Sequence, residues 1–177
     1  MPEDAASLIE RSGEARRNGD HPAALRLAEQ ALETARESND IDGLGSALAQ
    51  LARLRRDEHE TDAAVKLYEE AAAIAREQGD PLALAHRLRH IGDIVTEQGD
   101  LARAERFYDE AGRLFEAHGT GQLVMANFFR SKALFRERQG ENAAAAQLWT
   151  DARELYAASG IDACVMESDR RLQRLGS

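Results

Sequence analysis

The chain has 177 residues, a formal net charge of -9 and one cysteine, Cys164. That length suits one compact domain or a short repeat array with a real core. The acidic balance disfavours general affinity for nucleic acid, whose phosphates it repels, although local basic patches remain open, and the lone cysteine excludes an internal disulfide and a cysteine-cluster zinc site.

The composition points to helix. Aromatic residues make up only 5% and prolines number three, while Ala, Leu, Glu and Arg, which lose little freedom in a helix, are abundant. Met1 to Leu8 carries Glu3 and Asp4 and lacks an apolar signal core. No stretch reaches the ~20 apolar residues that a membrane span needs. A soluble cytoplasmic protein with no membrane or nucleic-acid partner is expected.

In chain order, apolar spacing and stop signals predict helices over 4–18, 21–38, 43–58, 61–78, 82–98, 101–118, 122–139 and 142–159, then a ninth over 162–175. Asp20, Asp80 and Asp100 stand where side-chain caps are needed, with Pro22 and Pro81 tolerated in first turns. Gly79, Gly99, Gly119, Gly140 and Gly160 stand where helices should stop. Gly43-Leu44-Gly45 and Gly119-Thr120-Gly121 read as turns between repeats.

The pattern repeats about every forty residues. Ala24, Ala64, Ala104 and Ala145 form one set of small residues, and Ala31, Ala71, Ala111 and Ala152 a second, seven positions on. Ser12, Ala52, Gly92 and Ala133 form a third set upstream. Between the first two sets come Ala28, Tyr68, Tyr108 and Trp149. Seven residues are two helical turns, so the first two sets share a face on which helices approach closely and the large side chain fills the space beside them.

On these residues, with Leu88, Ile91-Gly92, Val95, Gly99, Ala104, Tyr108 and Ala111 of the third copy as the fullest match, the chain resembles the tetratricopeptide repeat family over nearly its whole length. Its period exceeds the common ~34 residues. It is similar to the longer-helix variety found in some bacterial regulators and animal adaptor proteins. The resemblance implies an all-α fold, a right-handed α-solenoid of four helix-turn-helix repeats (4–40, 41–80, 81–120, 121–160) in one domain spanning 1–177. The helix over 162–175, polar through Arg170, Arg171 and Arg174, would close it as a cap. Arg11 and Lys132 depart from a usual Leu, and Arg55 and Arg136 from a usual aromatic, so their stems should lie over the core with the charges in water.

The resemblance also implies function: a scaffold that binds a protein or peptide in a groove lined by the first helix (A) of each pair. Position by position it assigns to that groove Arg16, Arg17, Arg53, Arg56, His86, Arg89, His90, Asn127, Arg130 and Arg138, interrupted by Asp93 and Glu97. The four B segments carry a net -8 and the four A segments -1, with the fourth A segment locally basic. Guanidinium forks match carboxylates, so an acidic peptide is the expected occupant. The bland reading is a set of solvated charges paired with neighbours such as Asp57, Asp93 and Glu137. The carboxylate clamp of some co-chaperone relatives is not reproduced: its places read Ile9 and Gly13, Ala49 and Arg53, Arg89 and Asp93, Arg130 and Leu134.

Catalytic chemistry finds little support. His86 and His90 share a helix face with Asp93 a turn on, but the intervening Arg87 and Arg89 would repel a cation and no glutamate stands between the histidines. Gly43-Leu44-Gly45-Ser46 has no preceding strand and no third glycine. No nucleophile, base and stabiliser set is present, so neither an enzyme nor a cofactor is expected. Cys164 sits early in the last helix, where an idle or buried thiol outweighs a reactive one. Phe128, Phe129, Phe135, Trp149 and Tyr156 gather in the fourth copy. Phe128 stands where the family prefers a small residue, and reads as core, or else as an exposed anchor. The alternative function is a self-associating module, a homodimer through this aromatic end or the capping helix.

Overall fold

The structure, a computed structural model, describes residues 3–176. Among these residues every regular element is a helix: α1 (Ala5–Arg17), α2 (His21–Ser38), α3 (Ile41–Asp57), α4 (Thr61–Gln78), α5 (Pro81–Gln98), α6 (Leu101–His118), α7 (Gln122–Gln139), α8 (Asn142–Ala158) and α9 (Asp162–Leu175). The fold is an all-α solenoid of four helix-turn-helix pairs with a terminal capping helix. Its contacts divide into two compact units, the first ending at Leu88 and the second beginning at Arg89, within α5.

Local chemistry sets the helix limits. The carboxylates of Asp20, Asp80 and Asp100 accept from the N–H groups of Ala23 (3.1 Å), Ala83 (2.9 Å) and Arg103 (3.1 Å), each satisfying a donor that the first turn leaves orphaned. Gly79 and Gly140 end α4 and α7 at φ +67° and +77°, a conformation that costs a residue with a Cβ.

Gly43-Leu44-Gly45 is not a turn but the buried start of α3. Asp40 caps that helix through the Gly43 N–H (2.9 Å), so a Cβ on Gly43 would collide with the capping carboxylate and come within 3.2 Å of the Ala5 Cβ. A Cβ on Gly45 would lie 3.3 Å from Ile74. These glycines serve close approach rather than chain reversal.

In the first unit, α1 packs on α2 and α3, and α3 packs on α2 and α4. Leu8, Leu27, Ala31 and Ala47 form one buried cluster and Ala24, Ala28, Leu51 and Leu54 another. Ala28, the small exception among the repeats, thus has leucines of α3 in its cluster. Complete burial of a side chain such as Leu54 contributes roughly 2 kcal/mol. Ser12 takes an alanine's place in the repeat and is fully buried; its hydroxyl donates to the Ala24 carbonyl (2.7 Å) and accepts from Gln50 Nε2 (3.0 Å), which offsets its desolvation. Arg55 keeps its charge at the surface, 2.8 Å from Glu58 and 3.6 Å from Glu60.

In the second unit, Gly92 on α5 lets the Tyr108 ring of α6 lie against the helix backbone. Phe128 is buried: its ring edge lies 3.1 Å from where a Cβ of Gly112 would stand, and it meets Phe115 edge-on at 5.5 Å. Gly112 makes the wider gap that the phenylalanine fills, so the exposed-anchor reading of Phe128 is set aside. Phe135, Trp149 and Tyr156 are buried as well. Lys132 and Arg136 lie over the Phe128 and Phe135 rings and reach Asp109 (3.5 Å) and Glu105 (3.2 Å).

Candidate functional site

The expected groove residues fall into both units. In the first, Arg16 makes a two-pronged pair with Asp57, its Nη2 3.1 Å from Oδ1. Arg17 and Arg53 are exposed and have no carboxylate within ion-pair distance among the described residues. The Tyr68 hydroxyl feels the charges of Arg53, Arg56 and Arg87. Burial raises the pKa of that buried phenol, and the arginines offset part of the rise. His86 is half-buried.

Sequence reasoning missed Arg87. It is half-buried, burial pushes its guanidinium below the usual arginine value, and its Nε–H has no acceptor. It lines an open cleft of about 160 Å³ with Asp42, Ser46, Ile74, Gln78 and Asp80. Its neighbours in sequence drew attention as groove positions; only the structure shows that residue 87 turns toward α3 and α4.

In the second unit most of the expected residues are engaged internally. Arg89 donates to Asp93 (3.2 Å), to the Ser131 hydroxyl (3.3 Å) and to His90 Nε2 (3.0 Å). An arginine has only donors, so His90 Nε2 must accept there. Asp93 also accepts from the Tyr108 hydroxyl (2.9 Å). Burial, then the charge of Asp93, drives the Tyr108 pKa far above the phenol range. Asn127 accepts from the Tyr156 hydroxyl (2.8 Å). Arg130 forms a two-pronged pair with Glu167 of α9, both bonds 2.8 Å. Arg138 alone of this group is exposed, with no ion pair among the described residues. Arg16, Arg89 and Arg130 are thus each paired with a carboxylate, Arg130 with one of the capping helix.

Ion pairs tie the capping helix to its unit. Besides Arg130–Glu167, Arg171 reaches Glu137 (2.9 Å) while lying over the Trp149 ring, and Arg153 pairs with Asp169. Glu137 also accepts from Trp149 Nε1 (2.6 Å). Cys164 packs against the cluster of Ala126, Ala152 and Tyr156. Among the described residues no group of three or more His, Cys, Asp or Glu is placed to hold a metal ion, and no helix is long and apolar enough to cross a membrane.

Comparisons with known proteins agree with this geometry. The family model of the tetratricopeptide repeat matches residues 4–77 and again 43–117. Among solved structures, BtubC (BKLC) from P. vanneervenii is similar at 21% identity and a TM-score of 0.67, covering 97% of this chain and 81% of its own. A putative kinesin light chain of Podosopora anserina with nearly identical TPR-like repeats is similar at 14% identity and a TM-score of 0.71, covering 99% of this chain and 97% of its own. A point variant of that Podosopora anserina protein gives 16% identity and a TM-score of 0.75, covering 99% and 87%. No curated protein is a significant match. At these identities the solved structures speak for the fold alone. The family acts as non-catalytic scaffolds for protein–protein interaction, and by the match of its model to more than half of the sequence this chain belongs to the tetratricopeptide repeat family.

Proposed function

We propose that this protein is an adaptor that holds an acidic segment of another protein through exposed arginines of its A helices. The observation that carries the reading is the division among the arginines. Arg16, Arg89 and Arg130 are neutralised by carboxylates of the chain itself, whereas Arg17, Arg53 and Arg138 stand in solvent without one. Exposed guanidinium groups on an otherwise acidic chain attract and orient a complementary acidic partner. The internal pairs hold the helices that present the open ones.

The test is capture of partners from extract of the native host on immobilised wild-type protein and on R17E/R53E/R138E. The proposal expects a partner retained by the wild type and lost by the variant, while circular dichroism shows both folded. Equal retention by both would overturn it. Self-association through the aromatic end gains no support, because Phe128, Phe135, Trp149 and Tyr156 are buried.

A further inference from the structure

The second unit carries two arginines at one register of the A helix, and they are met differently. Arg130 on α7 stands at the register of Arg89 on α5. Arg89 finds its carboxylate one turn along its own helix, at Asp93 (3.2 Å). At the register of Asp93 the later repeat has Leu134. The repeat therefore supplies no acid to Arg130 at that place. The counter-ion comes from the appended helix: the two oxygens of Glu167 accept from Arg130 Nε and Nη2, both at 2.8 Å.

The helix that delivers Glu167 is lightly packed. Ser168 is the one fully buried side chain of α9 among the described residues, and its hydroxyl donates within the helix, to the Cys164 carbonyl (2.9 Å). By contrast α8 buries Ala145, Trp149, Ala152 and Tyr156. Cys164 and Val165 of α9 lie half-buried against the cluster that contains Ala152 and Tyr156. The ion pairs of α9 are open to water: the Arg153 and Asp169 side chains are 42% and 43% exposed, and Arg130 is 37% exposed. Water and salt compete well for pairs of this kind. Glu167 thus sits in the Arg130 fork as a tethered ligand. Arg138, exposed on the same helix, stands about 12 Å farther along α7.

We propose that Arg130 is a carboxylate-binding site held closed by Glu167, and that an Asp or Glu side chain of the partner's segment takes it by displacing Glu167 and loosening α9. This rests on the acidic-segment reading above and adds its regulation. One carboxylate for another at the same guanidinium fork is nearly an even exchange. What accompanies each carboxylate decides the outcome. Glu167 brings the light packing of α9, whereas the incoming segment brings a second contact at Arg138. The internal pair lowers the apparent affinity for any acidic segment that lacks the second contact.

The probe is a tetraglutamate peptide, acetylated and amidated so that only side-chain carboxylates are anionic, with tetraglutamine as its neutral counterpart. About four extended residues cover the ~12 Å between Arg130 and Arg138. Titration calorimetry gives the affinity, and the Arg130 Nε–H resonance of protein labelled with 15N-arginine reads the fork itself. In the wild type tetraglutamate should move that resonance saturably and raise the rate at which Cys164 reacts with a thiol reagent; tetraglutamine should do neither. Glu167→Gln removes the internal competitor and should tighten tetraglutamate binding roughly tenfold, a gain that misfolding does not produce. Asp169→Asn removes the same charge from α9 but frees Arg153 of α8, and should stay within about twofold of the wild type. Adding Arg130→Gln to Glu167→Gln should abolish the gain. Affinity no higher in E167Q than in the wild type, or an equal rise in D169N, would overturn this site and leave the acidic-segment reading with the exposed arginines. No binding of tetraglutamate to either the wild type or E167Q would overturn both.

Discussion

Replacing Gly92 with alanine probes the close approach on which each helical hairpin depends. The new Cβ would stand 2.9 Å from Tyr108 Cε1, 3.0 Å from Cζ and 3.2 Å from Cδ1. Ordinary carbon contacts lie near 3.5–4.0 Å, so the ring must retreat by roughly half an ångström or more. It has nowhere to go: Tyr108 is 1% exposed, is backed by Phe135 at 5.2 Å between ring centroids, and is tethered to Asp93 through its hydroxyl. Overpacking of this kind costs about 1–3 kcal/mol. Alanine's better helix propensity returns about 1 kcal/mol, which leaves a net loss of about 0–2 kcal/mol. Gly13→Ala provides the reference, because its Cβ meets only the movable end of Arg17 at 3.4 Å and should gain up to about 1 kcal/mol. Urea denaturation followed by circular dichroism measures both. A Gly92→Ala protein as stable as Gly13→Ala would refute the packing argument.

Ala104→Arg, at a fully buried position, should destabilise by about 1–3 kcal/mol or more, whereas Ala143→Arg, exposed at the start of α8, should stay within about 0.5 kcal/mol. Arg130→Ala leaves Glu167 half-buried without its partner and should loosen the capping helix by about 1–3 kcal/mol; the rate at which Cys164 reacts with a thiol reagent should rise by about tenfold or more. The Glu167 carboxyl is pushed up by burial, but the hydrogen bond and charge of Arg130 more than offset this and leave it below the ordinary 4.5. Its contribution is therefore present above that value and lost as pH falls through the lowered one, so acid titration should release α9 in the wild type but change little in Glu167→Gln. At the alkaline end, burial, then the neighbouring Cys164, pushes the Tyr156 phenol up to about 12 from 10.0. A raised pKa means that stability is intact below 10 and falls as pH rises toward 12; Tyr156→Phe should show a shallower fall in urea midpoint over that window.

The fold was legible because its determinants are local and recur. The capping aspartates, the stop glycines and the alanines at seven-residue spacing each carry their own physical reason, and every copy says the same thing. Glycine at 43 and 45 misled because the residue serves both turns and close contacts; the Asp40 cap just upstream was the signal that decides between them. The site was less legible. A face can be read from spacing, but whether an arginine on it is open or neutralised depends on residues far along the chain, such as Asp57 for Arg16 and Glu167 for Arg130. Arg87 lay outside the expected face, and its burial without an acceptor for Nε–H has no trace in the sequence.

The account turns on charge complementarity with a partner, and its most direct measurement is the salt dependence of that complex. Titration calorimetry of a captured partner with wild type and R17E/R53E/R138E, at about 0.05 M and 0.5 M salt, spans the range over which surface charge is screened. Charge complementarity predicts affinity that falls steeply with salt in the wild type and is already low in the variant. Equal affinity for both proteins at both salt concentrations would contradict it.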